Sequence, residues 1–100
     1  MKLKKIKSGT SIKFIIEGRI DATNAADIGM AINDELDNMR ELILDFLDVE
    51  YISSMGLRVV LELQKRMKEQ GRMKVVNVND TVMDIFKMTG FDKFMTIEQC

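Results

Sequence analysis

The stretch that decides the fold is LILDFLDVEYISSMGLRVVLELQKRMKEQG, residues 42–71. It begins with LILDF at residues 42–46, a short continuous apolar run that is typical of a central strand covered on both faces. The polar loop DVEYISSM follows at residues 48–55, and the apolar spacing then changes to that of a helix. We therefore predict a strand, a loop and a helix, with the helix running from about Gly56 to Gln70.

The predicted helix carries an apolar stripe on one face and charged side chains on the other, as a surface helix does. Gly71 follows its last residue, where a glycine commonly adopts the left-handed conformation that ends a helix. The expected buried positions are Leu57, Val60, Leu61, Leu63 and Met67.

Upstream of this stretch, two short segments predict a β-hairpin. Residues 2–7 and 12–17 flank the turn Ser8-Gly9-Thr10, and the second segment nearly alternates in the manner of a half-buried strand. We expect the lysines of the first segment to form its solvent-facing side. These are Lys2, Lys4, Lys5 and Lys7.

Another amphipathic helix is predicted from about Asn24, after the polar loop EGRIDATNA at residues 17–25. Apolar residues recur there at three- and four-residue steps. Thr23 or Asn24 is expected to cap the helix, and Asp27 suits its positive end. The apolar positions are Ala25, Ile28, Ile32, Leu36 and Met39.

Downstream, MKVVNV at residues 73–78 predicts a buried strand. Asp80 is expected to cap a third helix that runs through Met88, and Gly90 to end it in a left-handed conformation. A last short strand is predicted over residues 94–97, at an edge of the sheet.

The predicted elements have the order β-β-α-β-α-β-α-β. Right-handed crossovers between the later strands make the central strands parallel. We therefore expect an α/β fold with a mixed sheet of four or five strands and about three main helices, in a single domain over residues 1–100.

Composition argues against several classes of function. The chain has 15 basic and 16 acidic residues, a net charge of −1, and hence no basic field for direct binding to nucleic acid or to a membrane surface. The lone Cys100 allows no intrachain disulfide, and no apolar run is long enough to cross a bilayer. We expect a cytoplasmic monomer.

The absence of histidine excludes a Ser-His-Asp or Cys-His nucleophile system and histidine metal sites. The two usual glycine-rich phosphate-binding motifs are also missing. We therefore expect no enzyme activity, no catalytic residue, no metal and no cofactor. A rival enzymatic interpretation would need a carboxylate and serine site, with Asp21 and Asp45 near Ser54, although Asp45 is more simply the end of a strand.

Two loops are candidates for function, because sites in such folds gather beyond the carboxyl ends of the strands. One contains Asp21, and the other contains Ser53 and Ser54 just before the long helix. A serine there has two interpretations: it caps the helix, or it receives a phosphoryl group at the anion-favouring helix N-terminus. The residues alone leave both open.

Three segments resemble the STAS family of anti-sigma factor antagonists. They are residues 42–71, the loop EGRIDATNA, and VVNVNDTVMDIFKMTGFDKFMTI at residues 75–97. The similarity runs nearly from end to end and in the family's order. It implies a STAS domain of α/β fold.

The resemblance also implies a mechanism. An unphosphorylated antagonist binds an anti-sigma factor that is also a serine kinase, and so frees a sigma factor. The kinase then phosphorylates the serine of the motif S-x-G-L, and a PPM-type phosphatase resets the switch. That serine corresponds to Ser54 here, and Asp21 corresponds to the acidic residue at the partner surface. The other expected partner-binding residues are Thr23, Ser53, Met55, Gly56 and Arg58.

Two positions depart from the family pattern. Ser53 stands where many members have aspartate, which places kinase specificity in question. Met55 replaces a small residue, and it either widens the choice of partner or fills a gap in the core. Some relatives are scaffolds, sensors or transport-associated subunits without phosphorylation, and this remains the alternative function.

Overall fold

The computed structural model describes residues 2–100 and contains a five-stranded mixed sheet with three α-helices, in the predicted order. Neighbouring strands in the sheet follow chain order from β1 to β5; β1 and β2 are antiparallel, and the later neighbours are parallel. The elements are β1 (Lys2–Ser8), β2 (Ser11–Ile20), α1 (Ala25–Asn33), β3 (Glu41–Ile52), α2 (Ser54–Gln70), β4 (Arg72–Val78), α3 (Asp80–Thr89) and β5 (Thr96–Gln99), with a 3-10 turn at Phe91–Lys93.

The helices cover one face of this sheet. Right-handed crossovers between strands that are neighbours in chain order place every crossover helix on the same side. Burial in the central strand agrees, because Leu42 and Leu44 of β3 are buried while the intervening Ile43 is half-buried. The prediction that the central strand is covered on both faces is therefore wrong.

β3 extends through most of the stretch that was predicted as a loop. Two irregularities in its pairing with β2 each add one residue to β3, at Asp45–Asp48 and at Val49–Tyr51. Each bulge shifts the alternation of side chains, so Phe46, Val49 and Ile52 are buried at three-residue intervals. This part of β3 therefore lacks the two-residue period by which a half-buried strand is recognised in a sequence.

The predicted buried positions of the first helix are all buried, but α1 ends at Asn33, before Leu36 and Met39. Side chains of α2 bind the carbonyl groups beyond that end. Arg66 donates to the carbonyl and side-chain oxygens of Asn33 at 2.7 Å, and Gln70 donates to the carbonyls of Leu36 and Met39 at 2.6 and 2.7 Å. These partners satisfy backbone acceptors that further helical turns would otherwise occupy.

Two helix ends differ in detail from the predictions. Gly71 is extended, with φ of 172°, and a side chain there would place its Cβ 1.9 Å from the carbonyl oxygen of Arg40. Close approach of two backbones, not a left-handed cap, therefore requires this glycine. Gly90 does take the predicted left-handed conformation, with φ of 78°. Asn79, not Asp80, caps α3 by accepting the Val82 amide at 2.8 Å.

The core lies between the sheet and the helices. The predicted stripe of α2 is buried except for Leu61, which is half-buried. Most described methionines fill the core, while Met30, Met55 and Met88 are exposed. The buried ones are Met39, Met67, Met73, Met83 and Met95.

The edge strand β1 exposes its four lysines, as predicted. Lysines on an edge strand discourage pairing with another chain. Lys5 also forms an ion pair with Glu35, with Nζ and Oε1 2.7 Å apart. Within residues 2–100, none of the helices combines the length and apolar character needed to span a bilayer.

Candidate functional site

The two candidate loops lie side by side at the carboxyl ends of β2 and β3. Ile20 and Ile52 are partners in the parallel pairing of these strands. Immediately beyond, the Ser53 amide donates to the Ile20 carbonyl at 2.8 Å. This bond joins the start of one loop to the start of the other and holds the two loops close together.

The first loop is held by hydrogen bonds around Asp21. Its carboxylate accepts the Thr23 hydroxyl at 2.6 Å and the Thr23 amide at 2.9 Å. These two bonds hold the pKa of the Asp21 carboxyl below its ordinary value, and the positive charge of Arg19 adds to the effect. Asp21 therefore presents a fixed negative charge.

Asn24 occupies the N-cap position of α1, but its side chain makes no capping bond. The side-chain oxygen instead accepts the Asp21 amide at 3.0 Å, and the side-chain nitrogen donates to the Arg19 carbonyl at 2.8 Å. Asn24 therefore stands at the predicted N-cap position, but the side-chain capping bond that was expected of Thr23 or Asn24 is not formed. Both side chains stabilise the shape of the loop.

The second loop is short, because α2 begins at Ser54 and not at Gly56 as predicted. Ser53 is the N-cap, with extended backbone angles, and its hydroxyl accepts the Gly56 amide at 3.3 Å. Its carbonyl accepts the Leu57 amide at 2.9 Å. Of the two interpretations of the serine pair, capping therefore belongs to Ser53.

Ser54 is exposed at the first position of α2, and its hydroxyl makes no hydrogen bond with any of residues 2–100. The backbone amides of Ser54 and Met55 likewise have no acceptor in that part of the chain. Ser54 thus has an accessible hydroxyl at the positive end of a helix, and the free amides beside it suit the binding of a phosphate at this position.

The following residues differ in what they offer to a partner. Met55 is 42% exposed, which places its thioether at the surface rather than in a core gap. Arg58 is exposed one turn further along α2. Gly56 is buried, and a Cβ there would lie 2.6 Å from Ile52 and 2.8 Å from Ile20. Gly56 therefore lets the start of α2 pack against the strands and is not exposed for contact with another molecule.

Asp45, the acid of the rival enzymatic interpretation, is engaged elsewhere. It lies within β3, is 7% exposed, and accepts the side-chain amide of Asn77 at 3.1 Å. Lys13 on β2 lies 3.7 Å from the same carboxylate. These contacts place Asp45 in the middle of the sheet. Among residues 2–100, no three histidine, cysteine or acidic side chains are arranged to hold a metal ion.

One pair of residues near the site was not predicted from the sequence. The guanidinium of Arg19 lies 4.6 Å from the ring centre of Tyr51, within the range of a cation–π interaction. The two residues are partners across β2 and β3 only because of the bulges in β3. No local pattern reveals such a pairing.

Comparison with known proteins agrees with this architecture. BtrV of Bordetella bronchiseptica, a candidate anti-sigma factor antagonist, is 30% identical over 93 residues, covering 91% of this chain and 80% of BtrV. An anti-sigma factor antagonist from Mycobacterium paratuberculosis has a TM-score of 0.88 at 23% identity, covering 99% of this chain and 86% of that one.

The Bacillus cell fate determinant SpoIIAA, solved in its phosphorylated form, has a TM-score of 0.75 at 17% identity. The match covers 96% of this chain and 90% of that one. At these identities the two solved structures show a shared fold. The family model of the STAS domain matches residues 2–99, nearly the whole sequence. The chain therefore belongs to the STAS domain family.

Proposed function

We propose that this chain is an anti-sigma factor antagonist whose binding state is set by phosphorylation of Ser54. In the unphosphorylated state it binds an anti-sigma factor that is also a serine kinase, and a sigma factor is released. Phosphorylation ends that binding. A PPM-type phosphatase restores the active state.

The observation that carries the proposal is that the two serine hydroxyls differ in their hydrogen bonding. Ser53 accepts the Gly56 amide and so caps α2, which leaves the Ser54 hydroxyl exposed and unbonded within residues 2–100. The capping bond engages one lone pair of the Ser53 oxygen at a half-buried position, whereas the Ser54 hydroxyl is exposed and makes no bond within residues 2–100. Ser54 is therefore the acceptor, although Ser53 is its immediate neighbour.

The phosphoryl transfer has a simple balance. The Ser54 oxygen forms a bond to the γ-phosphorus of ATP, the bond from that phosphorus to the bridging oxygen breaks, and ADP leaves. The hydroxyl proton passes to a base of the kinase. In the reverse direction, water attacks the phosphoserine, which returns the serine hydroxyl and releases inorganic phosphate.

The inserted phosphate acts on the partner and leaves the fold intact. It adds about −1.5 to −2 charges at a helix N-terminus, where the free amides of Ser54 and Met55 accommodate them. Asp21 already places a negative charge on the adjacent loop. A partner surface that covers both positions would have to bury the added charge beside that carboxylate, which weakens binding.

The proposed partner surface contains Asp21, Thr23, Ser53, Met55 and Arg58, with Gly56 supporting it from below. The relatives add support, since BtrV is described as a candidate antagonist and SpoIIAA exists in a phosphorylated form. We place the protein in the cytoplasm, with no direct contact to nucleic acid or membrane. It acts by binding and has no catalytic residue, metal or cofactor of its own.

The test is incubation with the anti-sigma factor kinase of the source bacterium and ATP, followed by phosphopeptide mapping. We expect label on Ser54, loss of label in Ser54→Ala, and retained label in Ser53→Ala. Label mainly on Ser53 would contradict the assignment. Binding of the kinase without any phosphorylation would favour the scaffold function.

A further inference from the structure

A groove runs along the surface between α1 and α2, starting beside the phosphorylation site. Its volume is about 580 Å³. Met55, directly after Ser54, lies at one end, and Glu69 near the end of α2 lies at the other. At 1.5 Å per residue these positions are about 20 Å apart along the helix, which is the length of roughly four helical turns. The groove is therefore as long as about four turns of a helix.

The floor of the groove is apolar and tightly packed. A Cβ added to Gly29 of α1 would lie 3.1 Å from a methyl group of Val59 on α2, so the two helices nearly touch there. Above this floor, Met30 is 65% exposed and Met55 is 42% exposed. Flexible methionine side chains adapt to the shape of a bound partner.

The two walls differ in charge. The α1 wall presents no charged side chain, since it consists of Ala26, Gly29, Met30 and Asn33. The rim formed by α2 carries an alternating row of exposed charges. Reading away from Ser54, the row is Arg58, Glu62, Lys65 and Glu69.

None of these four charged side chains forms a salt bridge with another of residues 2–100. Arg66, which also lines the groove, differs because it is bound to Asp37 at 2.6 Å and to Asn33. The row therefore offers unpaired charges of alternating sign along one side of an apolar channel. An amphipathic helix with small or apolar anchors and a matching row of opposite charges fits such a surface.

We propose that the α1–α2 groove docks an amphipathic α-helix of the anti-sigma factor kinase. This inference rests on the proposed function, which brings the kinase against Ser54 at the end of the groove. Reading from that end, the row on the kinase helix is acidic, basic, acidic, basic. The groove thus gives the kinase a binding contact that does not include Ser54, the residue that the kinase modifies.

The experiment measures kinase binding by calorimetry for two groove variants and two matched controls. Met30→Glu puts a charge on the apolar wall, and Glu62→Lys reverses one charge of the row. The controls are Met88→Glu and Asp84→Lys on α3, which alter a similarly exposed methionine and acid away from the groove. Thermal melts check that all four variants fold.

We expect each groove variant to raise the Kd by about 10-fold or more, as for residues central to an interface, and each control to stay within about 2-fold. Phosphorylation kinetics give a second readout. Because the substituted residues, Met30 and Glu62, are further along the groove than Met55, the groove variants raise KM and leave kcat unchanged.

Three results would overturn the inference. Groove variants that bind like wild type, while Ser54→Asp does not bind, refute the groove and leave the proposed function intact. A wild-type chain that binds no anti-sigma factor kinase refutes both. A wild-type dimer that Met30→Glu dissociates in sedimentation experiments assigns the groove to a second copy of the chain.

Discussion

Alanine substitutions at Ser53 and Ser54, made one at a time, distinguish the hydroxyl that caps α2 from the one that is the proposed phosphorylation site. Ser53→Ala deletes the acceptor of the Gly56 amide, a bond of 3.3 Å at a half-buried position. Loss of an N-cap hydroxyl costs about 0.5–2 kcal/mol. Since this bond is longer than the usual range for N–H···O bonds, we expect a loss near 1 kcal/mol.

In a domain of this size, about 1 kcal/mol lowers Tm by roughly 4–8 °C. Ser54→Ala deletes a hydroxyl that has no bond within residues 2–100, so its effect should stay within about 0.5 kcal/mol of wild type. Both variants are compared by thermal melts and urea unfolding at one pH, with the same denaturant slope as the check on two-state behaviour.

Ser53→Asp is the matched control, because aspartate is also a good N-cap and carries the charge that favours a helix N-terminus. It should unfold close to wild type. A loss of stability in Ser54→Ala equal to that in Ser53→Ala would refute the reasoning, since Ser54 would then be a structural residue.

Three further predictions concern other parts of the molecule. Gly71→Asn should destabilise the fold by about 1–3 kcal/mol because the added Cβ meets the backbone of Arg40. Gly90→Asn should destabilise it far less, because Gly90 is left-handed with open space around it. Paired urea titrations compare the unfolding free energies of the two variants. Thr23→Val should raise the pKa of Asp21 toward its ordinary value, because the 2.6 Å hydroxyl bond is lost; an NMR titration of the carboxyl carbon measures it, and an unchanged pKa would contradict the role given to this bond. The pKa of Glu41 is lowered by the Ser11 hydroxyl and by Arg72, so the stabilisation by its carboxylate is present above the unfolded-state pKa and is lost as pH falls through the lower folded-state pKa. The midpoint of unfolding should therefore fall less steeply for Glu41→Gln than for wild type when the pH is lowered from about pH 6 to pH 3. Parallel plots of midpoint against pH for the two proteins would refute this.

The order of elements and most of the core could be predicted because periodicity reports burial directly. The hairpin and the stripe of α2 follow from residue spacing, the parallel strands follow from right-handed crossovers, and the loops of Asp21 and Ser54 follow from the strand order. Within the serine pair, the assignment of the helix cap to Ser53 needed coordinates. Which hydroxyl caps a helix depends on where its first turn begins, and that differs from the prediction by two residues.

The errors arise where distant residues decide local structure. β3 continues through its bulges because β2 pairs with it, although its side chains lose their alternation. Gln70 of α2 binds the carbonyl groups after α1, and no residue near Asn33 reveals that contact. Gly71 meets Arg40, thirty-one positions earlier in the chain. The sequence has no local signal for any of these contacts.

The most direct test of the account is the affinity of the anti-sigma factor kinase for four forms of the chain, measured by calorimetric titration. These are wild type, Ser54→Ala, Ser54→Asp and the protein phosphorylated on Ser54. We predict that wild type and Ser54→Ala bind alike, that Ser54→Asp loses about 2–5 kcal/mol, and that the phosphorylated form binds more weakly still. Equal affinities for all four forms would contradict the claim that Ser54 sets the switch.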